Sequence, residues 1–191
     1  MSHVGSIVMI RHGQTEWSAT GRHTSVTDID LAAEGAERAR ALGLLLREYD
    51  FAAALSSPRL RARHTAELAD LTVTVDDDLA EWDYGEYEGI TTPQIRSGRP
   101  EWSLWTDGTP GGESPDQVGA RVDCLLDRVR PALAHGDVAL VGHGHLLRVV
   151  GVRWVGWPVS AGAALALDPG GLSELGFEHE HPVIRLWNRT A

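Results

Sequence analysis

The segment IVMIRHG, residues 7–13, joins an apolar run to an arginine, a histidine and a glycine. The β-branched residues within residues 7–10 are typical of a buried strand. A buried strand that ends in polar residues places them at its carboxyl end, where open α/β sheets bind their ligands. Arg11 carries a planar set of donors suited to phosphate or carboxylate, and His12 offers a nitrogen nucleophile or a proton carrier. The segment therefore predicts a buried strand and one wall of an anion site.

A second segment, VALVGHG at residues 138–144, has the same form. Its apolar run predicts another buried strand, and His143 follows that run after a single glycine. Because parallel strands of one sheet end at the same edge, we expect His12 and His143 to face each other across a crevice.

A cationic group is expected at the same edge, on the helix that follows the short apolar run at residues 51–55. The Ser-Pro pair at residues 57–58 predicts the start of this helix, with serine as N-cap and proline at the first helical position. Arg61 lies in the first turn, where a helix N-terminus already favours anions. Arg59 and Arg63 are alternatives that propensity alone leaves open.

The remaining periodicity completes an alternation of strands and helices. Apolar residues recur at helical spacing over residues 33–49 and after a capping box at residues 114–117. Residues 71–75 predict an edge strand, and residues 172–177 and 183–187 predict two closing strands. This order predicts a single domain over all 191 residues, folded as a three-layer α/β/α sandwich with a mostly parallel central sheet.

The composition limits the classes of partner. A net charge of -10 at pH 7 argues against a general nucleic-acid binder. All 17 cationic side chains are arginine, so an anion site must be built from arginine, histidine or backbone N–H groups. The most apolar later stretch, residues 138–157, contains histidines and arginines and is a poor membrane span. A lone cysteine, Cys124, and the lack of a signal-peptide pattern predict a cytoplasmic protein.

An acidic loop with aromatic neighbours follows the predicted edge strand. One carboxyl group placed beside a leaving oxygen could donate a proton to it, and nearby glycines would let the loop fold tightly. A solvated surface loop would carry the same carboxylates. The carboxylates are Glu81, Asp83, Glu86 and Glu88, and the aromatic residues are Trp82, Tyr84 and Tyr87.

Short blocks along the chain carry further information. They are RHGQTEW at 11–17, SSPRLRARHTA at 56–66, LAEWDYGEYEG at 79–89, GES at 112–114 and VGHG at 141–144. In this order, over nearly the whole chain, they resemble the histidine phosphatase superfamily, which includes the cofactor-dependent phosphoglycerate mutases. The chain looks most similar to the small bacterial acid phosphatases, and it also resembles the fungal sedoheptulose-bisphosphatase branch.

The resemblance implies a phosphomonoester hydrolase of the acid phosphatase type that acts on small phosphorylated metabolites. His12 would attack phosphorus and form a phosphohistidine, while Arg11, Arg61 and His143 would hold the phosphoryl oxygens. Glu81 would protonate the leaving oxygen and then activate water. Because arginine and histidine supply the positive charge, no metal and no cofactor is expected. The acidic loop and the lack of lysine argue against a highly anionic, polyphosphorylated substrate.

Further substrate contacts are also implied. Many members of the family carry asparagine where this chain has Ser18, and serine is shorter, with one donor rather than two. His145 stays open between the pocket mouth and a structural role, whereas His23 and His64 are interpreted as ordinary loop or helix residues. The implied contact residues are Thr15, Ser18, Thr24, Ser25, Tyr84 and Gly144.

Other functions remain open at this point. A cofactor-dependent phosphoglycerate mutase would be longer and would use lysine, whereas this chain has no lysine and a short span between Glu81 and His143. A metal-dependent hydrolase could use some of the 9 histidines, although His179 and His181 alone are too few ligands for zinc. A non-catalytic phospho-ligand binding module is a further alternative. The oligomeric state is also open, with a homodimer as one assembly to test.

Overall fold

Six strands form one mixed sheet in a computed structural model that describes residues 4–191. The strands are β1 (Ile7–Arg11), β2 (Phe51–Ser56), β3 (Thr74–Val75), β4 (Asp137–Gly142), β5 (Leu172–Glu178) and β6 (His181–Arg189). The helices are α1 (Glu16–Ala19), α2 (Ala33–Leu46), α3 (Leu60–Leu68), α4 (Thr92–Gly98), α5 (Leu104–Asp107), α6 (Pro115–Val129) and α7 (Gly144–Trp154). The strand order is β3-β2-β4-β1-β5-β6, and the pairs among β3, β2, β4 and β1 are parallel. Strand β5 pairs antiparallel with β1 and with β6, which makes the sheet mixed.

The alternation of side chains along β1 divides the core between the two faces of the sheet. Ile7 and Met9 belong to the apolar cluster that α6 and α7 complete. Val8 and Ile10 belong to the cluster that α2 and α3 complete. All four side chains are buried. Helices therefore cover both faces, which confirms the predicted three-layer sandwich.

The strands β1 and β4 end together and create the crevice. Arg11 lies opposite Gly142 in the parallel register, and the His12 N–H donates to the Gly142 carbonyl at 2.9 Å. The chain leaves β1 through α2 on one face and reaches β4 through α6 on the other. Connections that depart to opposite faces leave an open space at the carboxyl ends of the two strands, which is where α/β sheets bind ligands.

Two helix starts differ from the prediction. Helix α3 begins at Leu60, with Arg59 at the N-cap and no side-chain hydrogen bond to the helix end. The predicted cap, Ser57, accepts from the Arg59 N–H at 3.3 Å, but its hydroxyl lies closer, at 2.7 Å, to Nε2 of His143. A partner distant in sequence thus shares the side chain that the local pattern assigned to capping. Helix α7 begins at Gly144, whereas the sequence after the VGHG block predicts a helix that begins two residues later, at Leu146.

The edge strand β3 is shorter than predicted, because the Leu71 N–H donates to Ala66 at 2.9 Å and closes the turn after α3. The capping box at the start of α6 is confirmed: the Ser114 hydroxyl accepts from the Gln117 N–H, and Pro115 follows it. None of the helices within residues 4–191 has the length and apolar content needed to cross a membrane.

Candidate active site

A cavity of about 210 Å³ lies at the carboxyl ends of β1 and β4. The sequence pointed to most of the side chains around it, from four separate parts of the chain. Of the expected site residues, those that line it are Arg11, His12, Thr15, Ser18, Thr24, Glu81, Tyr84 and Gly144. The other expected residues, Arg61, His143 and Ser25, are almost completely buried and lie outside the lining.

His12 presents an unprotonated ring nitrogen. Its Nδ1 lies 2.7 Å from the carbonyl oxygen of Gly13. A carbonyl only accepts, so Nδ1 carries the proton and the lone pair of a neutral ring is on Nε2. Burial, followed by the positive charges of Arg61 and Arg11, holds the pKa of His12 well below its usual value. The imidazole is therefore neutral, as a nucleophile must be.

His143 lies beside His12 with the opposite nitrogen engaged. The two ring centroids are 5.1 Å apart, with an interplanar angle of 65°. Burial, then Arg61, lowers the pKa of His143 well below its usual value, so this ring is neutral too. The Ser57 hydroxyl already accepts from the Arg59 N–H at 3.3 Å, and we assign its O–H to Nε2 of His143. The proton of His143 is then on Nδ1, which is buried and has no hydrogen-bond partner among the described residues.

Arg11 is oriented by the loop before β5 and by the start of α7. One of its terminal nitrogens donates to the Leu167 carbonyl, and its buried Nε has no partner among residues 4–191. A Cβ at Gly144 would lie 3.1 Å from the guanidinium carbon of Arg11. A glycine at the start of α7 therefore lets this cation pack against the helix N-terminus. The unpaired Nε–H gives the cavity wall a charged donor.

Arg61 does not present a free guanidinium. It is fully buried on α3, and its terminal nitrogens donate to the carbonyls of Thr24 and Thr27 at 3.0 Å and of Ser25 at 3.3 Å. Only Nε lacks a partner among the described residues. Most of its donors therefore hold a loop, and its expected contact with the phosphoryl oxygens stays a prediction. Its charge still acts on both histidines.

Glu81 is anchored at the N-terminus of α7. Its Oε1 accepts from the N–H groups of Trp82 at 2.9 Å and Leu146 at 2.8 Å, and its Oε2 accepts from the His145 N–H at 3.1 Å. A carboxylate oxygen has two lone-pair positions, so Oε1 is fully used while Oε2 retains one. This geometry fixes the carboxyl group at the cavity wall and assigns any transferred proton to Oε2.

Tyr84 and His145 form a second polar pair on the wall. The Tyr84 hydroxyl lies 2.6 Å from Nδ1 of His145. Burial, then Glu81, raises the pKa of Tyr84 well above its usual value, while burial, then Arg148, lowers the pKa of His145 well below its own. Both groups are therefore neutral, and one hydrogen bond joins the Tyr84 hydroxyl to the imidazole of His145. His145, left open by the sequence, lines the cavity.

The hydroxyl groups expected to contact substrate have mostly local partners. Ser18 and Thr15 form a reciprocal capping box at α1, in which the Ser18 O–H donates to the Thr15 carbonyl at 3.1 Å. The Thr24 hydroxyl donates to the Arg22 carbonyl at 3.0 Å, and the Ser25 hydroxyl donates to the carboxylate of Glu88, which lies outside the cavity lining, at 2.8 Å. Ser25 lies outside the cavity lining, and its expected contact with substrate stays a prediction. Ser18 lines the cavity but has no O–H left to donate in this structure.

Several lining residues were missed by the sequence reading, namely Gly21, Arg22, His23, Thr92, Arg148 and Leu167. Arg148 lies three residues after His145 on α7, a spacing that puts both on one helix face and could have been used. His23 was interpreted as an ordinary residue, yet its Nδ1 is 2.7 Å from the Ile90 carbonyl and its ring contacts Tyr84. No local pattern marks that placement, because it depends on a segment far along the chain.

The charge of the cavity differs from what the acidic loop suggested. Its lining contains Arg11, Arg22 and Arg148 but only one carboxylate, Glu81. The other acidic residues of that loop do not line it. The carboxylates of that loop therefore give no reason to exclude a highly anionic substrate from the cavity. Within residues 4–191, no group of three or more His, Cys, Asp or Glu side chains is arranged to hold a metal ion.

Covalent phosphoryl transfer requires a neutral nucleophile, positive charge around the phosphoryl oxygens and a nearby proton carrier. His12, the arginines and Glu81 meet these requirements in one cavity, which defines the class as phosphoryl-transfer enzymes. A model of the histidine phosphatase superfamily (branch 1) matches residues 7–190, and the chain belongs to that superfamily.

The relatives agree with phosphomonoester hydrolysis. An acid phosphatase of Mycobacterium tuberculosis is 44% identical over 176 residues, which cover 91% of this chain and 87% of the relative. A sedoheptulose 1,7-bisphosphatase of Saccharomyces cerevisiae is 34% identical over 78% of this chain and 67% of the relative. The solved structure of a protein encoded by an open reading frame of M. tuberculosis matches this chain with a TM-score of 0.95 and 42% sequence identity. The match covers 97% of this chain and 98% of that chain. Named phosphoglycerate mutases also match, at lower identity than the acid phosphatase.

Proposed function

We propose that this protein hydrolyses phosphomonoesters of small metabolites through a phosphohistidine on His12. The observation that carries the proposal is the state of that ring: buried, neutral, with Nδ1 bound to Gly13 and Nε2 bare. The unpaired Nε of Arg11 and the unpaired Nδ1 of His143 are donors for the phosphoryl oxygens.

In the first step, the lone pair of His12 Nε2 forms the N–P bond as the ester P–O bond breaks. The leaving oxygen takes a proton from Oε2 of Glu81, so the alcohol departs neutral. The charge that spreads over the equatorial oxygens is stabilised by donors that are already in place and need no reorganisation.

In the second step, water attacks the phosphohistidine. Oε2 of Glu81 takes one proton from the water as the new P–O bond forms, and the electron pair of the N–P bond returns to Nε2. The three N–H bonds to Glu81 hold its carboxylate in one orientation through both steps. Orthophosphate and the original enzyme are the products.

Hydrolysis is better supported than mutase activity. The acid phosphatase matches at 44% identity over 91% of the chain, and no lysine is present to bind a substrate carboxylate. An assay that follows 3-phosphoglycerate separates the two reactions. We expect free phosphate to accumulate faster than 2-phosphoglycerate, and rapid exchange with little free phosphate would contradict the proposal.

The substrate class follows from the charges of the cavity. Three arginines face a single carboxylate, which favours esters with a second anionic group, either phosphate or carboxylate. A panel of matched sugar monophosphates, sugar bisphosphates and phosphoglycerates, ranked by kcat/KM, tests this directly. We expect the second anion to raise kcat/KM, and Arg22→Met, at an exposed position on the lining, to reduce that preference. Equal kcat/KM within each matched pair would remove the second-anion preference and leave the hydrolase proposal intact.

We also propose a cytoplasmic location, which is supported by the single free cysteine, Cys124. Cell fractionation of the native host tests this. Recovery of the protein with the soluble fraction is the expected result.

A further inference from the structure

The segment of residues 24–27 is held from two sides by side chains of opposite charge. On one side, the carboxylate of Glu88 accepts from the N–H of Ser25 at 2.9 and 3.0 Å, from the N–H of Thr27 at 3.0 Å and from the Ser25 hydroxyl at 2.8 Å. On the other side, Arg61 donates to the carbonyls of Thr24, Ser25 and Thr27 at 3.0 to 3.3 Å.

The peptide groups between these two side chains link them without direct contact. The peptide group between Thr24 and Ser25 bonds both side chains: its N–H points to the anion and its carbonyl points to the cation, so its dipole stabilises both charges. The N–H of Thr27 adds a contact to the anion, and the carbonyls of Ser25 and Thr27 add contacts to the cation. Arg61 forms no direct ion pair with a carboxylate among the described residues. The orientation of its guanidinium therefore depends on these carbonyls, and the carbonyls depend on Glu88.

The orientation of Arg61 matters for both histidines. After burial, its positive charge is the largest influence that lowers the pKa of His12 and of His143. Its Nε is buried and has no hydrogen-bond partner among the described residues. A shift of the guanidinium would change the charge at the nucleophile and the position of this donor together.

We propose that Glu88 is a positioning residue for phosphoryl transfer, which holds residues 24–27 so that they hold Arg61 in its productive orientation. This inference rests on the proposed function and assigns Glu88 a role that acts entirely through Arg61. Burial alone would raise the pKa of Glu88, but hydrogen bonds from Thr27 and Ser25 outweigh it and lower that pKa. The carboxylate therefore stays charged in mildly acidic solution.

The same loop provides a matched control. Glu86 is two residues away and exposed, and its carboxylate has no hydrogen-bond partner among the described residues. Glu88→Gln replaces an acceptor oxygen by an NH₂ group that would face the N–H donors of Ser25 and Thr27. Glu86→Gln makes the same chemical change without disturbing any such contact.

The test is a double-mutant cycle between Glu88 and Arg61. We expect Glu88→Gln to lower kcat/KM by roughly 10- to 100-fold, the range seen when the hydrogen-bonding partners of metal ligands are removed. Glu86→Gln should stay within about 2-fold of wild type. In the background of Arg61→Met, Glu88→Gln should cost less than about 3-fold, because the residue it orients is gone.

The proposal would be overturned if Glu88→Gln lowered kcat/KM by less than 3-fold. It would also be overturned if the double variant lost the product of the two single-variant factors, because that result means that the two residues act independently.

If Glu88→Gln does not fold, Ser25→Ala replaces it. This change removes the hydroxyl bond to Glu88 at 2.8 Å and the longer bond from the Tyr84 N–H at 3.3 Å, and it leaves the N–H groups of Ser25 and Thr27 bonded to Glu88. The decrease in kcat/KM caused by Ser25→Ala must also disappear in the Arg61→Met background. Calorimetry measures the affinity of the same variants for orthophosphate and does not depend on turnover. If the hydrolase assignment is wrong, the losses of phosphate affinity can still be coupled between Glu88 and Arg61, so the two failures are distinguishable.

Discussion

The carboxyl ends of β1 and β4 look alike in sequence and differ in chemistry. Each strand is followed by a histidine, and both rings are buried, neutral and 5.1 Å apart. His12 binds the Gly13 carbonyl through Nδ1 and exposes the lone pair of Nε2. His143 meets the Ser57 hydroxyl through Nε2 and retains an unpaired Nδ1–H.

The difference shows that the role of each histidine is set by the partner of its other nitrogen. A carbonyl can only accept, so it makes His12 a nucleophile. A hydroxyl can donate or accept, and with its O–H assigned to Nε2, the proton of His143 is on Nδ1, where it can donate toward the phosphoryl group. Two nearly identical strand ends thus supply the attacking atom and part of the charge stabilisation in one cavity.

The largest expected effect is the loss of the nucleophile. His12→Ala should lower kcat by at least about 10⁴-fold, because no other group can form the covalent intermediate. His64→Ala, at a half-buried histidine that pairs with Asp30 outside the cavity, should leave kcat unchanged. Steady-state hydrolysis of a chromogenic phosphomonoester measures both. Turnover of His12→Ala within 10-fold of wild type would refute the assignment.

Removal of the donor, His143, should lower kcat less than removal of the nucleophile, His12. His143→Ala takes away one preorganised donor, and we expect kcat to fall by about 10²- to 10³-fold. Unlike His12→Ala, this variant should still form a phosphoenzyme, at a reduced rate. A rapid-quench time course distinguishes the two variants, and equal loss of labelling in both would remove the contrast between the histidines.

A smaller effect is expected from the group that sets the tautomer of His143. Ser57→Ala should lower kcat by roughly 10-fold, since the ring can then place its proton on either nitrogen. Ser56→Ala is the matched control, because its hydroxyl is also buried but contacts only the Ser57 carbonyl. Comparable losses in the two variants would indicate a packing effect and not a tautomer effect.

The smallest predicted effect is on stability at acidic pH. The pKa of His12 is lowered in the folded protein, so the unfolded chain binds a proton near pH 6.5 that the folded chain does not bind. The free energy of unfolding should therefore fall as the pH drops below about 6.5, by about 1 kcal/mol at pH 5.5 for this residue. Denaturant unfolding of wild type and His12→Asn at pH 7.5 and 5.5 measures the difference. Identical pH slopes would contradict the neutral assignment.

The contrast between the strand ends also shows what the sequence could predict. The apolar runs before His12 and His143, and their shared edge, follow from periodicity and from the geometry of parallel strands. The start of α3 could not be predicted, because Ser57 has a partner 86 residues away that competes with local capping.

The predicted role of Arg61 shows the same limit. Its position in the first turn of α3 is confirmed, but the use of its terminal nitrogens depends on carbonyls more than 30 residues earlier. His23 enters the cavity wall for a similar reason, since its ring is held by the Ile90 carbonyl, 67 residues later. Side chains whose partners lie far along the chain leave no local signal.

The central claim is that Nε2 of His12 forms the bond to phosphorus, and one measurement tests it most directly. The enzyme is mixed with a labelled phosphomonoester and quenched in alkali, and the phosphorylated residue and its ring isomer are identified by peptide mapping and ³¹P NMR. The account predicts an acid-labile, alkali-stable phosphohistidine on His12 with phosphorus on Nε2. Phosphorus on Nδ1, on His143 or on any other side chain, or no phosphoenzyme during turnover, would contradict it.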